Sequence, residues 1–347
     1  MARVKEAAAE TADSVAEGIA AAATADGPVP PSPKRVTRLS GPVRFALAVI
    51  LSFAFWSLGR LLVDYCSDNE IRSISKEVMT RKEHSILAAW KLFGLALGWW
   101  YDYDGFDLAA LALLSHGPAT FLVTVFYRIR AVTAAAYLAI DVISAFVPFL
   151  LLRRLSGAHA AAPGVPNRDI VTDRGIQLLT SLQSALVYSV VLFLAGRYLL
   201  PNTLVLYFEG IPTIQPATEA SLLGFGGSPM TQLLSLLFGL AARTFIFTPL
   251  VTTPTTAEDR KNAEFDPVTA SLGQTVAWNL WGYTTRTKVS LIRTAVAVLF
   301  TSLGTYLDTV LVISGVEPYG AAVYASVWAI ATLVTGLSLR YVGSIEG

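Results

Sequence analysis

The chain has 347 residues, of which 54% are hydrophobic and 15% charged, and its mean hydropathy is +0.55. Those figures exclude an ordinary soluble protein and describe a polytopic membrane protein. The 26 basic residues nearly cancel the 25 acidic ones, so there is no broad basic field for nucleic acid, and that class of partner is set aside.

Residues 1 to 40 differ in composition from the rest. MARVKEAAAETADSVAEGIAAAATADG is alanine-rich and acidic, and GPVPPSPKR follows it. Acidic residues argue against a mitochondrial presequence, and no apolar core marks a secretory signal. The segment is expected to be a disordered Ala/Pro-rich cytosolic tail. From residue 41 to 343 the pattern is that of a transmembrane domain, with a short carboxyl-terminal tail at 344–347.

Apolar runs of membrane length recur through this domain at 43–63, 84–100, 106–126, 132–152, 176–199, 231–252, 289–313 and 321–341. At 1.5 Å per residue each approaches or exceeds the hydrocarbon thickness. The expected fold is therefore an all-α integral membrane bundle of about eight transmembrane helices. The alternative is seven, because the second run is short, is separated from the third only by YDYDG, and reads equally as a re-entrant segment.

Lysine and arginine set the expected orientation. Loops 153–175 and 253–288 carry four each, whereas 200–230 and 314–320 carry none, which puts both termini in the cytosol. Loop 64–83 contradicts the pattern, with four bases on the outer side. No Asn-x-Ser/Thr sequon occurs, and the favoured location is an intracellular endomembrane such as the endoplasmic reticulum, with the plasma membrane as the alternative.

Cys66 is the only cysteine, which excludes an intrachain disulfide framework and thiol-based metal clusters. It is read as unmodified, with palmitoylation as the alternative. His84, His116 and His159 are too few for a histidine-rich di-iron centre. No Walker loop, dinucleotide fingerprint, zinc-binding helix motif or nucleophile elbow is present. No cofactor is expected.

The cluster DYDGFD places Asp102, Asp104 and Asp107 around a glycine turn. It is the best candidate for a divalent metal, although its spacing departs from the calcium-loop pattern. The competing reading is a polar turn in which Asp104 or Asp107 caps the third helix. His116, in LLSHGPA, is a candidate catalytic base or a partner for backbone groups freed by Pro118.

Charges inside the membrane mark function or helix pairing, because burying one costs about 2.5–3.5 kcal/mol on insertion scales. Lys91, Asp141 and Arg243 are near-central; Arg293 and Asp308 lie nearer the ends of the seventh run, and Arg60 is placed to snorkel. Around Asp141 the same helical face carries Ala134, Tyr137, Ser144 and Pro148, so the carboxylate points inward. Two readings follow. One is a buried ion pair with Lys91 or Arg243 that fixes helix register; the other is a titratable carboxylate on a substrate or proton path. In the stretch 271–288, ahead of the seventh run, Trp278, Trp281 and Tyr283 precede Arg286 and Lys288, the composition of a segment anchored at the membrane interface.

The runs FYRIRAVTAAAYLAIDVISAFVPFLLLRRLSGAH, WNLWGYTTRTKVSLIRTA and GVEPYGAAVYASVWA resemble an uncharacterised family of multi-pass membrane proteins in filamentous fungi. The resemblance extends over about residues 43 to 343 and implies a single membrane unit without adding chemistry. The expected partner is the lipid bilayer, with membrane-protein partners or a homo-oligomer beside it. The expected role is transporter-like or that of a scaffold held by intramembrane ion pairs; the alternative is a membrane enzyme acting on a lipid.

Overall fold

A computed structural model of the chain describes residues 39–68, 70–77, 79–220, 229–266 and 270–344. The expectations for the tail therefore lie, but for its last two residues, outside the described residues, as does that for 345–347. Among the described residues there is no β-strand, only two isolated bridges, Ser75 with Ile313 and Phe208 with Val316. The protein is an all-α helical bundle and a multi-pass membrane protein.

Eight long helices coincide with the eight apolar runs. They are α1 (Gly41–Cys66), α2 (Arg81–Trp100), α3 (Gly105–Val125), α4 (Ala131–Leu152), α5 (Arg174–Tyr198), α6 (229–252), α7 (Thr285–Val312) and α8 (Pro318–Ser344). Seven are long and apolar enough to cross a membrane; α2 is the exception. The charged start of α2 and its Lys91 deprive it of an equally apolar window, yet its 20 residues give a rod of about 30 Å. The short second run is thus a full helix of the bundle and does not turn back.

Local chemistry fixes the ends. Thr80 with Glu83 and Asp104 with Asp107 form reciprocal capping boxes at the starts of α2 and α3, satisfying amide groups that a helix cannot satisfy itself. Asp173 and Thr284 cap α5 and α7. Two helices change pitch partway: α6 passes through a π-helical turn at Arg243–Phe247, and α7 ends in one at Asp308–Val312. Such turns are rare and concentrate at functional positions; each begins at a charged residue.

Contacts between helix ends define two faces. Phe45 at the start of α1 lies 5.4 Å from Trp99 at the end of α2. At the same level Arg153, closing α4, donates to the carbonyls of Gly98 and Trp99 at 3.0 and 2.9 Å. Asn167, ahead of α5, donates to Val251 O at the end of α6, and Arg340 of α8 lies over the Tyr283 ring that precedes α7. On the other face, Arg130 before α4 holds Glu70, Lys76 N bonds Val312 O, and Glu209 N bonds Gly315 O. The chain therefore passes between the faces eight times, and both ends of the domain lie on one side, here called the terminal face.

The helices pack by close approach and by aromatic interlocking, as expected where lipid tails remove the hydrophobic drive for helices to associate. Gly239 of α6 sits against the Ser181 carbonyl and Ala185 amide of α5, where any Cβ would collide with backbone. Trp328 of α8 meets Phe238 of α6 at 4.8 Å and Phe121 of α3 at 5.3 Å, while Tyr188 of α5 stacks on Phe238. The Tyr188 hydroxyl, fully buried, finds Thr332 at 2.9 Å. α1 is peripheral, with Leu58, Leu61 and Leu62 more than 60% exposed, the apolar face a lipid-contacting helix presents.

Candidate functional site

Five helices each place one ionisable side chain into a common polar cluster. Trp56 and Arg60 stand one helical turn apart on α1 and so share a face. Both reach Asp141 of α4: Arg60 Nη2 donates to its two carboxylate oxygens at 2.7 and 2.9 Å, and Trp56 Nε1 donates to Oδ1 at 3.0 Å. The guanidinium also lies 4.6 Å from the Tyr137 ring centroid, a cation–π contact one turn before Asp141.

Lys91 of α2 completes this side of the cluster. Its ammonium donates to Ser144 Oγ at 2.8 Å, and that hydroxyl donates to the Asp141 carbonyl at 3.0 Å. Across from it, His116 Nδ1 of α3 lies 2.7 Å from Asp308 Oδ2 of α7. Arg60 and Lys91 therefore balance Asp141 and Asp308, and the net charge of the cluster depends on whether His116 carries one proton or two.

Two small cavities meet at this point. One, about 50 Å³, is lined by Trp90, Lys91, Ser115, His116, Asp141 and Phe300 among others. The second, about 80 Å³, is lined by Arg60, Ser75, His116, Tyr137, Asp141 and Asp308 among others, and lies under the loop of the face opposite the termini. His116 and Asp141 belong to both walls. Each cavity has room for about one to three waters, not for a metabolite. The side chains of Arg60 and His116 keep 31% and 25% exposure, so the cluster is not sealed. Towards the terminal face it is sealed by Leu95, Leu108 and Leu111, each less than 5% exposed. Ser115 Oγ, in the wall of the smaller cavity, is buried without a hydrogen-bond partner among the described residues.

A second polar cluster lies beyond that apolar layer. Asp104, the N-cap of α3, accepts from the amides of Asp107 and Ser156 at 3.1 and 2.9 Å and faces His159 Nδ1 at 2.7 Å. Asp107 receives Arg293 of α7 at 2.6 and 3.4 Å, and His159 Nε2 faces the Thr244 carbonyl at 3.2 Å. Both nitrogens of His159 thus face acceptors, which only the doubly protonated ring satisfies as a donor. Burial opposes charge on His159, but Asp104 and Asp107 outweigh it and its pKa is raised. Burial also opposes charge on Asp104, but the hydrogen bond and charge of His159 and the two amides hold its pKa well below the usual carboxylate range.

Asp104, Asp107 and His159 bring ligand atoms within 4.8 Å of one another, a spacing that could hold a metal ion, but each already has a partner of opposite charge. The two carboxylates are already neutralised by the Arg293 guanidinium and the His159 imidazolium, and a divalent cation would have to displace a buried guanidinium. The expected membership also changes: Asp102 is not part of the group. Its side chain is 93% exposed and pairs with Arg153 at the surface. The capping reading of Asp104 and Asp107 is the one the geometry carries.

The sequence-derived charges thus divide. Lys91, Asp141 and Asp308 converge; Arg293 belongs to the second cluster. Arg243, expected as a partner of Asp141, is buried at the π-turn of α6 and makes no side-chain hydrogen bond or ion pair among the described residues. The closest partner of Asp141 is Arg60, which the sequence reading left to snorkel. Its one signal was the Trp56/Arg60 spacing on an otherwise apolar helix. His159 was missed as well, because nothing local ties it to Asp104 across 55 residues.

On the terminal face Trp278 and Trp281 sit on the helix Leu272–Trp281. Trp278 stacks on Phe265 at 5.0 Å, and Lys288 lies over Trp281. Trp281, Tyr283 and Leu272 remain exposed, as an interfacial anchor requires.

Comparison with models of known families, with characterised proteins and with solved structures finds no match for this chain.

Proposed function

We propose that this membrane protein is a transporter that moves protons, alone or coupled to a second solute, and that the Arg60, Lys91, His116, Asp141 and Asp308 cluster is its proton relay. One observation carries the reading: two cavities on opposite sides of the cluster share His116 and Asp141 as a common wall. A pair serving only to fix helix register has no need of open space on both sides. In the relay, Arg60 and Trp56 hold Asp141 in place through their hydrogen bonds to its carboxylate. His116 can take a proton from one cavity and release it to Asp308 or to the other cavity, since a neutral imidazole accepts a proton on one ring nitrogen while the other nitrogen carries one to donate. The layer of Leu95, Leu108 and Leu111 keeps the cluster closed to the terminal face, so opening it is the conformational step that transport needs.

The abundance of basic residues in loops 153–175 and 253–288 supports a cytosolic terminal face. Membership in the fungal membrane family and residence in an endomembrane belong to the same proposal and rest on the sequence alone. The scaffold reading is the rival, and proton flux separates the two. Purified protein in proteoliposomes carrying a pH-sensitive dye is expected to dissipate an imposed pH gradient, and Asp141→Asn to abolish that flux while the protein remains folded. Wild-type flux no faster than that of empty vesicles, with and without a membrane potential, would sink the proposal and leave the scaffold.

A further inference from the structure

The structure assigns a binding site for the phosphate headgroup of an anionic phospholipid to the cleft between the start of α1 and the end of α4 on the terminal face. The cleft has a volume of about 550 Å³ and is lined by Arg44, Arg153 and Arg154, together with Gly41, Trp99, Asp102, Leu155 and Ser156. Three guanidiniums face one carboxylate, so its formal charge is +2 by subtraction of Asp102.

The three arginines do different work. Arg153 is committed to structure: it caps α2 through Gly98 and Trp99, pairs with Asp102 and lies 4.9 Å from the Trp99 ring. Arg44 and Arg154 make no side-chain hydrogen bond and no ion pair among the described residues, and Arg44 Nε is buried without a partner. A buried guanidinium nitrogen with nothing to donate to is costly, and a phosphate oxygen is the acceptor its planar fork fits best.

The start of α1 adds donors of its own. Ser40 makes no side-chain cap bond, and the first turn holds no acidic residue, so the amides of Gly41 and Val43 have no cap and the positive end of the helix, at Gly41, borders the cleft. Gly41 keeps the approach open, since a Cβ there would meet nothing within 4 Å.

A lipid is favoured over a free anion by what surrounds the charge. Leu155 lines the cleft and Val43 precedes Arg44 in the first turn of α1, and both are more than a third exposed, giving acyl chains a surface beside the headgroup. In sequence, Lys34, Arg35 and Arg38 immediately precede α1. Basic pockets between helices, flanked by juxtamembrane basic residues, attract anionic lipids.

The test is native mass spectrometry and thermal melting of the full chain, purified in detergent and titrated with phosphatidic acid or phosphatidylcholine. Phosphatidic acid is expected to be retained and to raise the melting temperature, less so at high salt, and phosphatidylcholine to do neither. Arg44→Gln with Arg154→Gln together should weaken retention about tenfold or more, whereas Arg197→Gln on the other face should not. Arg154→Gln alone, at an exposed residue with no partner to lose, keeps the test valid if the double variant fails to fold, and should still weaken retention several-fold. Unchanged retention in the folded variants would overturn the site. Inorganic phosphate stabilising the protein as well as the lipid does would overturn the lipid as its occupant.

Discussion

Replacing Arg60 by Met should destabilise the protein more than replacing Asp141 by Asn, and the double variant should recover much of the loss. Asp141 is the deeper partner, with its side chain 6% exposed against 31% for Arg60. Without Arg60 its carboxylate is left ionised or must take up a proton. Removing one member of a buried pair costs about 3–5 kcal/mol. Lys91 nearby and the partial exposure of Arg60 reduce this to about 2–3 kcal/mol. Asn at 141 keeps an acceptor for Trp56 and leaves behind a cation that can swing towards the interface, so about 1 kcal/mol is expected. The double variant removes both charges and should fall well short of the sum. The assay is thermal melting of each variant in one detergent, followed by loss of the monodisperse peak on gel filtration. Strict additivity, or an Asp141→Asn variant less stable than Arg60→Met, would refute the assignment of Arg60 as the charge partner.

Three further outcomes follow from the same geometry. His159 has a raised pKa, so its contribution to stability is complete below its unfolded value of about 6.5 and is lost as pH rises through the higher folded value. Melting temperature should therefore fall across that window in the wild type, and a His159→Gln variant should lack this pH-dependent component. Because Arg293 already neutralises Asp107, magnesium, calcium or chelators should leave the melting temperature unchanged; a shift lost in Asp107→Asn would restore the metal reading. Gly239→Leu drives a side chain into the α5 backbone and should cost at least 1–3 kcal/mol, about the usual cost of overpacking, seen as loss of the folded peak, whereas wild-type behaviour would place α5 and α6 farther apart.

The helices were legible because hydropathy over about twenty residues is a local signal, and bilayer thickness converts it directly into a span. Capping by Asp104 and Asp107 was legible for the same reason, since the two lie three residues apart. The partners of the buried charges were not. Which cation meets Asp141 depends on which helix lies beside α4, and α1 holds that place although Arg60 and Asp141 lie 81 residues apart in sequence. Lys91 was expected as the partner and comes close, through Ser144; Arg243 was expected on equal terms and lies elsewhere. Loop 64–83, whose four bases run against the orientation pattern, has one of them partnered locally: Lys76 pairs with Glu83 at 2.8 Å.

The relay stands or falls on His116, the side chain that borders both cavities and touches Asp308. Proton flux through proteoliposomes containing His116→Gln, checked for folding by gel filtration and melting, is the most direct measurement. The account predicts flux at the level of empty vesicles with the bundle intact. Flux equal to the wild type in that folded variant would contradict it.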